Sequence, residues 1–329
     1  MHVVAAPDKF KGTARASEVA AAVARAAATV VGATCDVAPM SDGGEGFIDA
    51  LGGANRTMTV TGPLGDPVDA PWRFEHDRAV IEMAVASGLT LLGGADGNDP
   101  MAASTYGTGE LIAMAVESGA KRVLVGVGGS ATTDGGLGAL RALFPPARYR
   151  AVDLVVATDV LTRFVDAAEL FAPQKGASDA QVELLRRRLE RLADVYLDDY
   201  GVEVRELEGS GAAGGLAGGL AAIGATLESG FDVVAEEVGL FERIERADLV
   251  VTGEGFLDAE SFDGKVVGGV CELAREAGVP VLAVVGETFD DVEHRVDTIS
   301  LIDRFGSDRS MNDPITCIEE AVTEWLTKY

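Results

Sequence analysis

Short apolar runs alternate with amphipathic stretches near both ends of the chain. Five runs are largely apolar and of strand length: 2–6, 34–38, 248–252, 279–285 and 298–302. Segments with helical spacing lie among them: 17–30, 264–277 and 312–327. Because strands that alternate with helices favour a parallel sheet, we predict an α/β domain with a flavodoxin-like sheet, formed by residues 1–56 together with 245–329.

The middle of the chain has a different pattern. Three short runs, 57–62, 68–75 and 79–85, are separated by turn sequences, which is typical of antiparallel strands. Further strands are predicted at 123–127 and 152–158, with a strand-like run at 202–207, and helices at 108–118, from Leu137 onward and at 179–199. We therefore predict that residues 57–244 form a second, mixed α/β domain inserted into the first.

Charge and composition narrow the possible functions. The formal net charge of −26 argues against non-specific binding to nucleic acid or to an anionic membrane. Cys35, Cys271 and Cys317 are far apart and form no CxxC motif, as expected of reduced thiols. The uncharged stretch 209–227 is too rich in glycine for a lipid-facing helix. We expect a cytoplasmic protein without a signal peptide and with neither nucleic-acid nor membrane partners.

Three predicted loops place a carboxylate beside glycines at the end of a strand. They are 41–46 (Ser-Asp-Gly-Gly-Glu-Gly), 133–136 (Thr-Asp-Gly-Gly) and 252–255 (Thr-Gly-Glu-Gly), the last followed by Asp258. A single loop of this kind is often an ordinary turn with an acidic helix cap. Three in one chain favour a shared phosphate and metal site, because glycine lets the backbone approach a ligand and carboxylates are ligands of Mg²⁺.

The loop 128–136 is a candidate anion site. An apolar strand leads into it and a helix-compatible stretch follows, so its peptide N–H groups and hydroxyls favour negative charge. Lysine is scarce among the 27 basic residues, yet four lysines stand in glycine-rich loops: Lys9, Lys11, Lys175 and Lys265. Their ammonium groups suit a phosphate or a small carboxylate, although solvated surface lysines are the ordinary alternative.

A second signature supports a rival hypothesis. Residues 209–214 match GxGxxG after the strand-like run 202–207, which would suit an NAD-dependent oxidoreductase. The acid expected to bind the ribose would be Glu228, but no clear strand precedes it. The sequence contains no GxxxxGK[ST] motif, and its three histidines are scattered, so neither a P-loop nor a histidine-based site is predicted.

Nine segments occur in a recognisable order across nearly the whole chain: 6–12 (Ala-Pro-Asp-Lys-Phe-Lys-Gly), 39–46, 61–65, 81–84, 105–110, 128–136, 173–176, 211–215 and 252–265. Together they resemble the bacterial glycerate kinase family of the non-P-loop type. The resemblance implies ATP-dependent phosphorylation of D-glycerate, usually at the 2-hydroxyl in bacterial members. It also implies two α/β domains, one of them flavodoxin-like, with the active site in the cleft between them.

The chain also departs from the family pattern. The segment 144–151 is short, the loop at 160–168 lacks the usual glycine-bearing sequence, and Lys9 stands where a serine is common. Three alternatives therefore stay open: a kinase of another small hydroxy acid, the NAD-dependent oxidoreductase, and a non-catalytic homologue.

The resemblance and the loops together predict the site residues. Catalytic roles are expected for Asp42, Asp134 and Lys11, with Asp42 the first choice as base and Asp258 a further candidate. Contacts with the hydroxy acid are expected from Asp8, Lys9, Ser41, Gly43, Gly44, Lys175 and Lys265. The nucleotide is expected to contact Gly128, Gly129, Ser130, Thr132, Gly211, Gly214 and Gly253. Glu254 and Asp258 are the candidate Mg²⁺ ligands, ATP and Mg²⁺ the expected cofactors, and a monomer or homodimer the expected state.

Overall fold

The computed structural model describes residues 1–289 and 292–328. Its β-strands are β1 His2–Ala5, β2 Thr34–Val37, β3 Arg56–Thr61, β4 Pro67–Glu75, β5 Arg78–Glu82, β6 Arg122–Gly126, β7 Asp153–Thr158, β8 Thr226–Ser229, β9 Leu249–Leu257, β10 Val281–Thr288 and β11 Asp297–Ser300. Its α-helices are α1 Ala16–Ala28, α2 Phe47–Ala50, α3 Ala84–Ser87, α4 Tyr106–Glu117, α5 Leu137–Ala142, α6 Ala167–Phe171, α7 Asp179–Tyr200, α8 Ala212–Ala222, α9 Gly230–Val238, α10 Leu240–Ile244, α11 Val266–Ala277, α12 Leu301–Phe305, α13 Ser307–Asn312 and α14 Pro314–Leu326.

The chain divides into two compact units. The first unit contains Met1–Asp42, Asp49–Gly52 and Phe231–Tyr329, and the second contains Gly43–Ile48 and Gly53–Gly230. Residues 231–244, predicted to lie in the insertion, belong to the first unit, whereas 43–48 and 53–56, predicted to lie in the first domain, belong to the second.

The first unit contains a five-stranded sheet in the order β2-β1-β9-β10-β11, and every neighbouring pair is parallel. Counted along this unit, the order is 2-1-3-4-5, which is that of flavodoxin-like folds. The predicted parallel sheet is confirmed. The strand order reverses between β1 and β9, and ligands of such sheets bind outside the carboxyl ends of the strands at this switch point.

Helices cover both faces of this sheet. Successive residues of a strand point to opposite faces, and β10 follows this rule. Leu282 and Val284 join the core formed with α1 and α14, whereas Ala283 and Val285 join a separate core that contains Val267 of α11. The core of the first unit therefore lies in two layers, one on each side of the sheet, and the loops at the strand ends are left free to build a site.

The second unit contains a six-stranded sheet in sequence order from β3 to β8. The strands β3, β4 and β5 pair antiparallel, as their turn sequences predict, whereas β5 to β8 are parallel. The third of these strands ends at Glu82, before the predicted end at residue 85. Because the parallel strands run in one direction, the loops after β5, β6 and β7 leave the same edge of the sheet.

The prediction for the segment around GxGxxG is wrong in two respects. Residues 202–207 do not form a strand; they contain a 3₁₀ turn at Val204–Glu206, in which the Arg205 N–H donates to the Glu203 carboxylate. Conversely, Glu228 lies in β8, a strand of only four residues whose side chains are partly polar. A strand this short and half-exposed has no clear apolar pattern, which is why the sequence did not indicate it.

The uncharged stretch 209–227 is part of the fold of the second unit. Its helix α8 is buried along its whole length. In the part of the chain that the structure describes, every helix falls short of the length or the apolar character that crossing a membrane requires.

Candidate functional site

Three charged side chains meet at the switch point of the first unit. Asp8 follows β1 and Asp42 follows β2, and the Lys9 ammonium lies 3.6 Å from a carboxylate oxygen of each. The Lys9 amide N–H also donates to Asp8 Oδ1 at 2.7 Å. Asp8 is only 7% exposed, so the lysine charge is needed to balance two carboxylates in a largely desolvated place.

Hydrogen bonds hold the loop that carries this cluster against β9. The Asp8 N–H donates to the Gly253 carbonyl and the Thr252 hydroxyl donates to the Ala6 carbonyl, both at 2.8 Å. Gly253 itself is buried, and a Cβ at this position would lie 1.9 Å from the Val284 carbonyl oxygen. This glycine lets β9 and β10 approach each other, which fixes the position of the Asp8 backbone.

Burial shifts the proton equilibrium of Asp8. It raises the pKa of this carboxyl from 3.8 to about 6, the Lys9 charge opposes the shift, and the Asp42 charge adds to it. A carboxyl group with a pKa near neutral can gain or lose a proton at neutral pH, as general acids and bases do.

Glu254 lies in β9, two residues after Thr252, and it carries an unsatisfied oxygen. Among the described residues its buried Oε1 has no hydrogen-bond partner. Burial raises the pKa of Glu254 to about 7; the Ser261 hydroxyl and Lys265 oppose the shift, whereas Asp8 and Asp258 add to it. Buried polar atoms are almost always paired, so this oxygen is available to a partner that the described residues do not supply.

The predicted loop at 253–255 is part of β9, and Asp258 is the first residue after this strand, where a serine holds its side chain. Its Oδ1 accepts hydrogen bonds from the Ser261 N–H at 3.0 Å and from the Ser261 hydroxyl at 3.1 Å. No group of three or more His, Cys, Asp or Glu side chains among the described residues is arranged to hold a metal ion. Mg²⁺ usually needs only one or two carboxylates, because water and substrate phosphates complete its shell, so Glu254 and Asp258 fit that ion.

The two other lysines of the first unit lie near this loop. Lys11 is exposed, and a Cβ on Gly255 would lie 3.4 Å from its backbone nitrogen. Lys265 immediately precedes α11, and its ammonium lies 3.4 Å from a carboxylate oxygen of Glu260. The structure thus brings the predicted residues Asp8, Lys9, Lys11, Asp42, Glu254, Asp258 and Lys265 to the loops at one edge of the first unit.

In the second unit, the loop after β6 presents a glycine to solvent above a buried cation. Gly129 is exposed and has a left-handed backbone with φ 66°. Lys175, only 3% exposed, donates to the Ser130 hydroxyl and the Thr132 carbonyl, both at 2.7 Å. Burial lowers the pKa of Lys175 to about 7, against the charge of Asp134. Lys175 therefore braces the loop from inside.

Residues 43–45 are neighbours of this loop. A Cβ on Gly128 would lie 2.6 Å from the Gly44 Cα, and a Cβ on Gly43 would lie 2.8 Å from the Ala157 carbonyl oxygen. Only glycines allow the backbones to come this close. Two of the three acidic glycine loops predicted from sequence thus contribute residues to the carboxyl ends of β6 and β7.

The Asp134 carboxylate accepts hydrogen bonds that hold the start of α5 in place. One carboxylate oxygen accepts from the N–H groups of Thr105 and Gly138, at 2.9 and 3.1 Å, and the other accepts from the Gly136 N–H at 3.0 Å. The Thr105 hydroxyl donates to the same carboxylate. With both oxygens engaged, this geometry supports a positioning role for Asp134.

The glycines of the GxGxxG match are buried behind the same loop. Backbone φ is positive at Ala213, Gly214 and Gly215, and all residues of 211–215 are buried. The Gly214 carbonyl accepts from the Gly135 N–H at 3.0 Å, and a Cβ on Gly214 would lie 2.0 Å from the Thr132 carbonyl oxygen. The two glycine-rich segments interlock, so 211–215 supports the 128–136 loop from behind.

Sequence reasoning missed three supporting residues: Thr105, Ser261 and Asn98. Asn98 donates from Nδ2 to the carbonyls of Ala131 and Lys175, at 3.0 and 2.9 Å. The Asp-x-x-Ser spacing of 258–261 is a turn signal that could have indicated Ser261. No local signal marks Asn98, because its partners lie far away in sequence.

Known proteins resemble this chain over nearly its full length. A sequence model described as the Glycerate kinase family matches residues 3–144 and 145–325. The glycerate 2-kinase of Escherichia coli K12 is 38% identical, over 91% of this chain and 90% of that protein. The glycerate kinase of Halalkalibacterium halodurans is 36% identical, over 97% and 96% respectively.

A solved structure shows the same fold. The crystal structure assigned to glycerate kinase 2 from Salmonella typhimurium LT2 superimposes with a TM-score of 0.82 at 32% identity, covering 100% of this chain and 99% of that one. The family match, the identities and the fold agree, and this chain belongs to the glycerate kinase family.

Proposed function

We propose that the protein is an ATP-dependent kinase that phosphorylates D-glycerate at the 2-hydroxyl, giving 2-phosphoglycerate. The observation that carries this proposal is the cluster of Asp8, Lys9 and Asp42 at the switch point of a flavodoxin-like sheet. A carboxylate can accept a hydroxyl proton, and an ammonium group beside it can bind the carboxylate of a small acid. The names of the similar kinases supply the substrate.

In the proposed reaction, Asp42 is the base. It accepts the proton of the 2-hydroxyl as the new O–P bond forms, while the bond from the γ-phosphorus to the ADP oxygen breaks. Lys9 lies between Asp42 and Asp8, where its ammonium group can orient the carboxylate of the substrate. Asp134, the other sequence candidate for the base, already accepts hydrogen bonds on both oxygens, which favours Asp42.

Glu254 and Asp258 are the proposed ligands of Mg²⁺. The unpartnered Oε1 of Glu254 supports this assignment, and Asp258, whose carboxylate is held by Ser261, follows directly after the same strand. When bound, the ion neutralises phosphate charge. Lys11 and Lys265 are proposed to add positive charge on the same edge of the unit.

The loop 128–136 is the proposed contact for the phosphates of ATP. Gly129 exposes its backbone, and Lys175 places a positive charge beneath Ser130. Among the described residues the buried hydroxyls of Thr132 and Thr133 have no hydrogen-bond partner. These features support an anion site, in which fixed N–H groups and a buried cation act together.

The proposal is tested by measuring ADP release from ATP and Mg²⁺ with and without D-glycerate, using the purified chain. We expect glycerate-dependent ADP and a phosphorus NMR spectrum of the 2-phosphorylated acid. A spectrum of the 3-phosphorylated acid would show that the 3-hydroxyl is the acceptor instead. Turnover only with another hydroxy acid would show that D-glycerate is not the substrate. Other hydroxy acids should be tested because the segments 144–151 and 160–168 depart from the family pattern.

The two other hypotheses give different results in the same assay. An NAD-dependent oxidoreductase would bind NAD in preference to ATP; its premise is weakened because 202–207 is not a strand. A non-catalytic homologue would bind ATP without turnover. We further propose a cytoplasmic monomer or homodimer, which sedimentation of the purified chain can assign.

A further inference from the structure

A groove of about 650 Å³ lies in the second unit, bordered by α5, by α7 and by the segment 100–104. Part of its α7 side is apolar and includes Leu184, Leu192 and Val195, and Met101 adds to the apolar lining. Thr133 and Asp134 also line the groove. A volume of this size, largely apolar with a few polar groups, is that of a small-molecule site.

Four arginines line the same groove: Arg141, Arg187, Arg188 and Arg191. Arg187 is paired with Glu183 at 2.8 Å, and Arg188 donates to the Met101 carbonyl at 3.0 Å. Arg141 and Arg191 are exposed, and their side chains make no hydrogen bond or ion pair within the described residues. In a chain with a net charge of −26, such a concentration of positive charge is complementary to an anion.

The position of the groove limits the classes of ligand that could bind there. Thr133 and Asp134 belong to the loop that follows β6, and residues 100–104 follow β5, so the groove lies beyond the carboxyl ends of parallel strands, where α/β sheets bind ligands. The loop that borders it also carries Gly129 and Ser130. A ligand that fits must join a flat apolar part to several negative charges, and a nucleoside triphosphate has this composition.

We propose that this groove binds the donor nucleotide, with the base and ribose against the apolar face of α7 and the phosphates neutralised by Arg141 and Arg191. The inference rests on the proposed ATP-dependent function and extends it by locating the nucleotide.

The first test compares arginine variants by isothermal titration calorimetry with the non-hydrolysable analogue AMP-PNP and Mg²⁺. Arg141→Gln and Arg191→Gln each remove a charge that no described residue pairs with, so the fold should be unaffected. We expect each to raise the Kd for AMP-PNP about tenfold, as for the loss of one charge-assisted hydrogen bond. Arg150→Gln is the matched control, because Arg150 is exposed in the same unit but does not line the groove, and its Kd should equal that of the wild type.

The second test uses two positions of α7. Val195 and Leu197 are each 41% exposed, but only Val195 lines the groove. Val195→Glu places a negative charge where the nucleotide is proposed to bind and should raise the Kd about tenfold or more, whereas Leu197→Glu should leave it unchanged. Thermal denaturation of both variants shows whether the fold is equally intact.

The outcomes separate this inference from the proposed function. If the wild type binds AMP-PNP and the Arg141, Arg191 and Val195 variants bind it equally well, the groove is not the nucleotide site, although the kinase proposal stands. If those variants change turnover only at saturating ATP, with an unchanged Kd, the groove holds some other anion and the inference is overturned. If the wild type binds no adenine nucleotide, the proposed function itself fails.

Discussion

The Lys9 ammonium lies 3.6 Å from Asp42 Oδ1, and the carboxylate is thereby held beside a fixed positive charge. Replacing Asp42 by Asn keeps the shape of the side chain but removes the proton acceptor. We expect kcat to fall by roughly 10²- to 10⁴-fold with little change in nucleotide affinity. Initial rates with ATP and D-glycerate, together with AMP-PNP titration, measure the two effects. The control is Asp66→Asn at an exposed turn. Unchanged turnover in Asp42→Asn would remove this residue as the base.

Stability should depend on pH through Asp8 and Glu254. The folded-state pKa of Asp8 is raised from 3.8 to about 6 and that of Glu254 from 4.5 to about 7, chiefly by burial, so the folded state holds protons that the unfolded chain releases. The contribution of these groups to stability is complete below about pH 4 and is lost as the pH rises through 6 and 7, by about 1.4 kcal/mol per unit of pKa difference.

Asp8→Asn and Glu254→Gln cannot ionise and should escape this loss. We expect each variant to gain stability relative to the wild type as the pH rises from 4 to 7.5 in magnesium-free buffer, measured by urea denaturation. Glu276→Gln, at an exposed position of α11, is the control and should run parallel to the wild type. A constant difference between variant and wild type across this range would contradict the assignment.

Lys175 should control the affinity for ATP without touching the solvent-exposed part of the loop. Lys175→Met keeps the length of the side chain but loses the hydrogen bonds to Ser130 and Thr132 and the charge beneath them. We expect the KM for ATP to rise roughly tenfold, while the KM for glycerate changes little. Lys121→Met, 79% exposed, is the control.

The pH profile distinguishes a charge effect from a purely structural one at this position. Burial lowers the pKa of Lys175 to about 7, so its positive charge is present below that pH and is lost above it. The wild-type KM for ATP should therefore rise as the pH increases beyond about 7, and the Lys175→Met variant should lack this dependence. Identical profiles for the two proteins would leave Lys175 with a structural role only.

Gly214 should be intolerant of any side chain. Its φ is +66°, and a Cβ would lie 2.0 Å from the Thr132 carbonyl oxygen, whereas Gly201 has φ +73° with nothing within 4 Å. In both alanine variants the left-handed backbone lowers the free energy of unfolding by about 1 kcal/mol, but Gly214→Ala must also displace a backbone segment. We expect a clearly larger fall in Tm for Gly214→Ala than for Gly201→Ala, measured by circular dichroism, and equal falls would show that the two segments are not interlocked.

The sequence predicted those parts of the fold that depend on local pattern. The apolar runs predicted the parallel sheet of the first unit, and the turn residues predicted the antiparallel pairing of β3 to β5. It failed at 202–207, where an apolar alternation is broken by a glutamate cap at the start of a 3₁₀ turn. It also failed at Glu228, because four half-exposed residues carry too little pattern.

Site prediction was limited in another way. Residue type and loop position were enough to select Asp8, Lys9 and Asp42, but not to show that one lysine lies between two carboxylates. Nor could sequence show that Asp134 is engaged by Thr105, twenty-nine residues away. The arginines of α7 look like an ordinary solvated helix face in sequence, and only packing against the segment 100–104 makes them the lining of a groove.

The pairing of β1 with β9 joins residues 3–5 to residues 249–251, so the central strands of the first sheet are synthesised far apart in time. A ribosome must finish the whole second unit, whose strands pair in sequence order, before the first sheet can close. Contacts between distant segments form slowly, and domains fold as they emerge. The newly made chain therefore carries β1 and β2 with an open edge while the second unit is already able to fold, and that open edge is where pairing with another chain would occur.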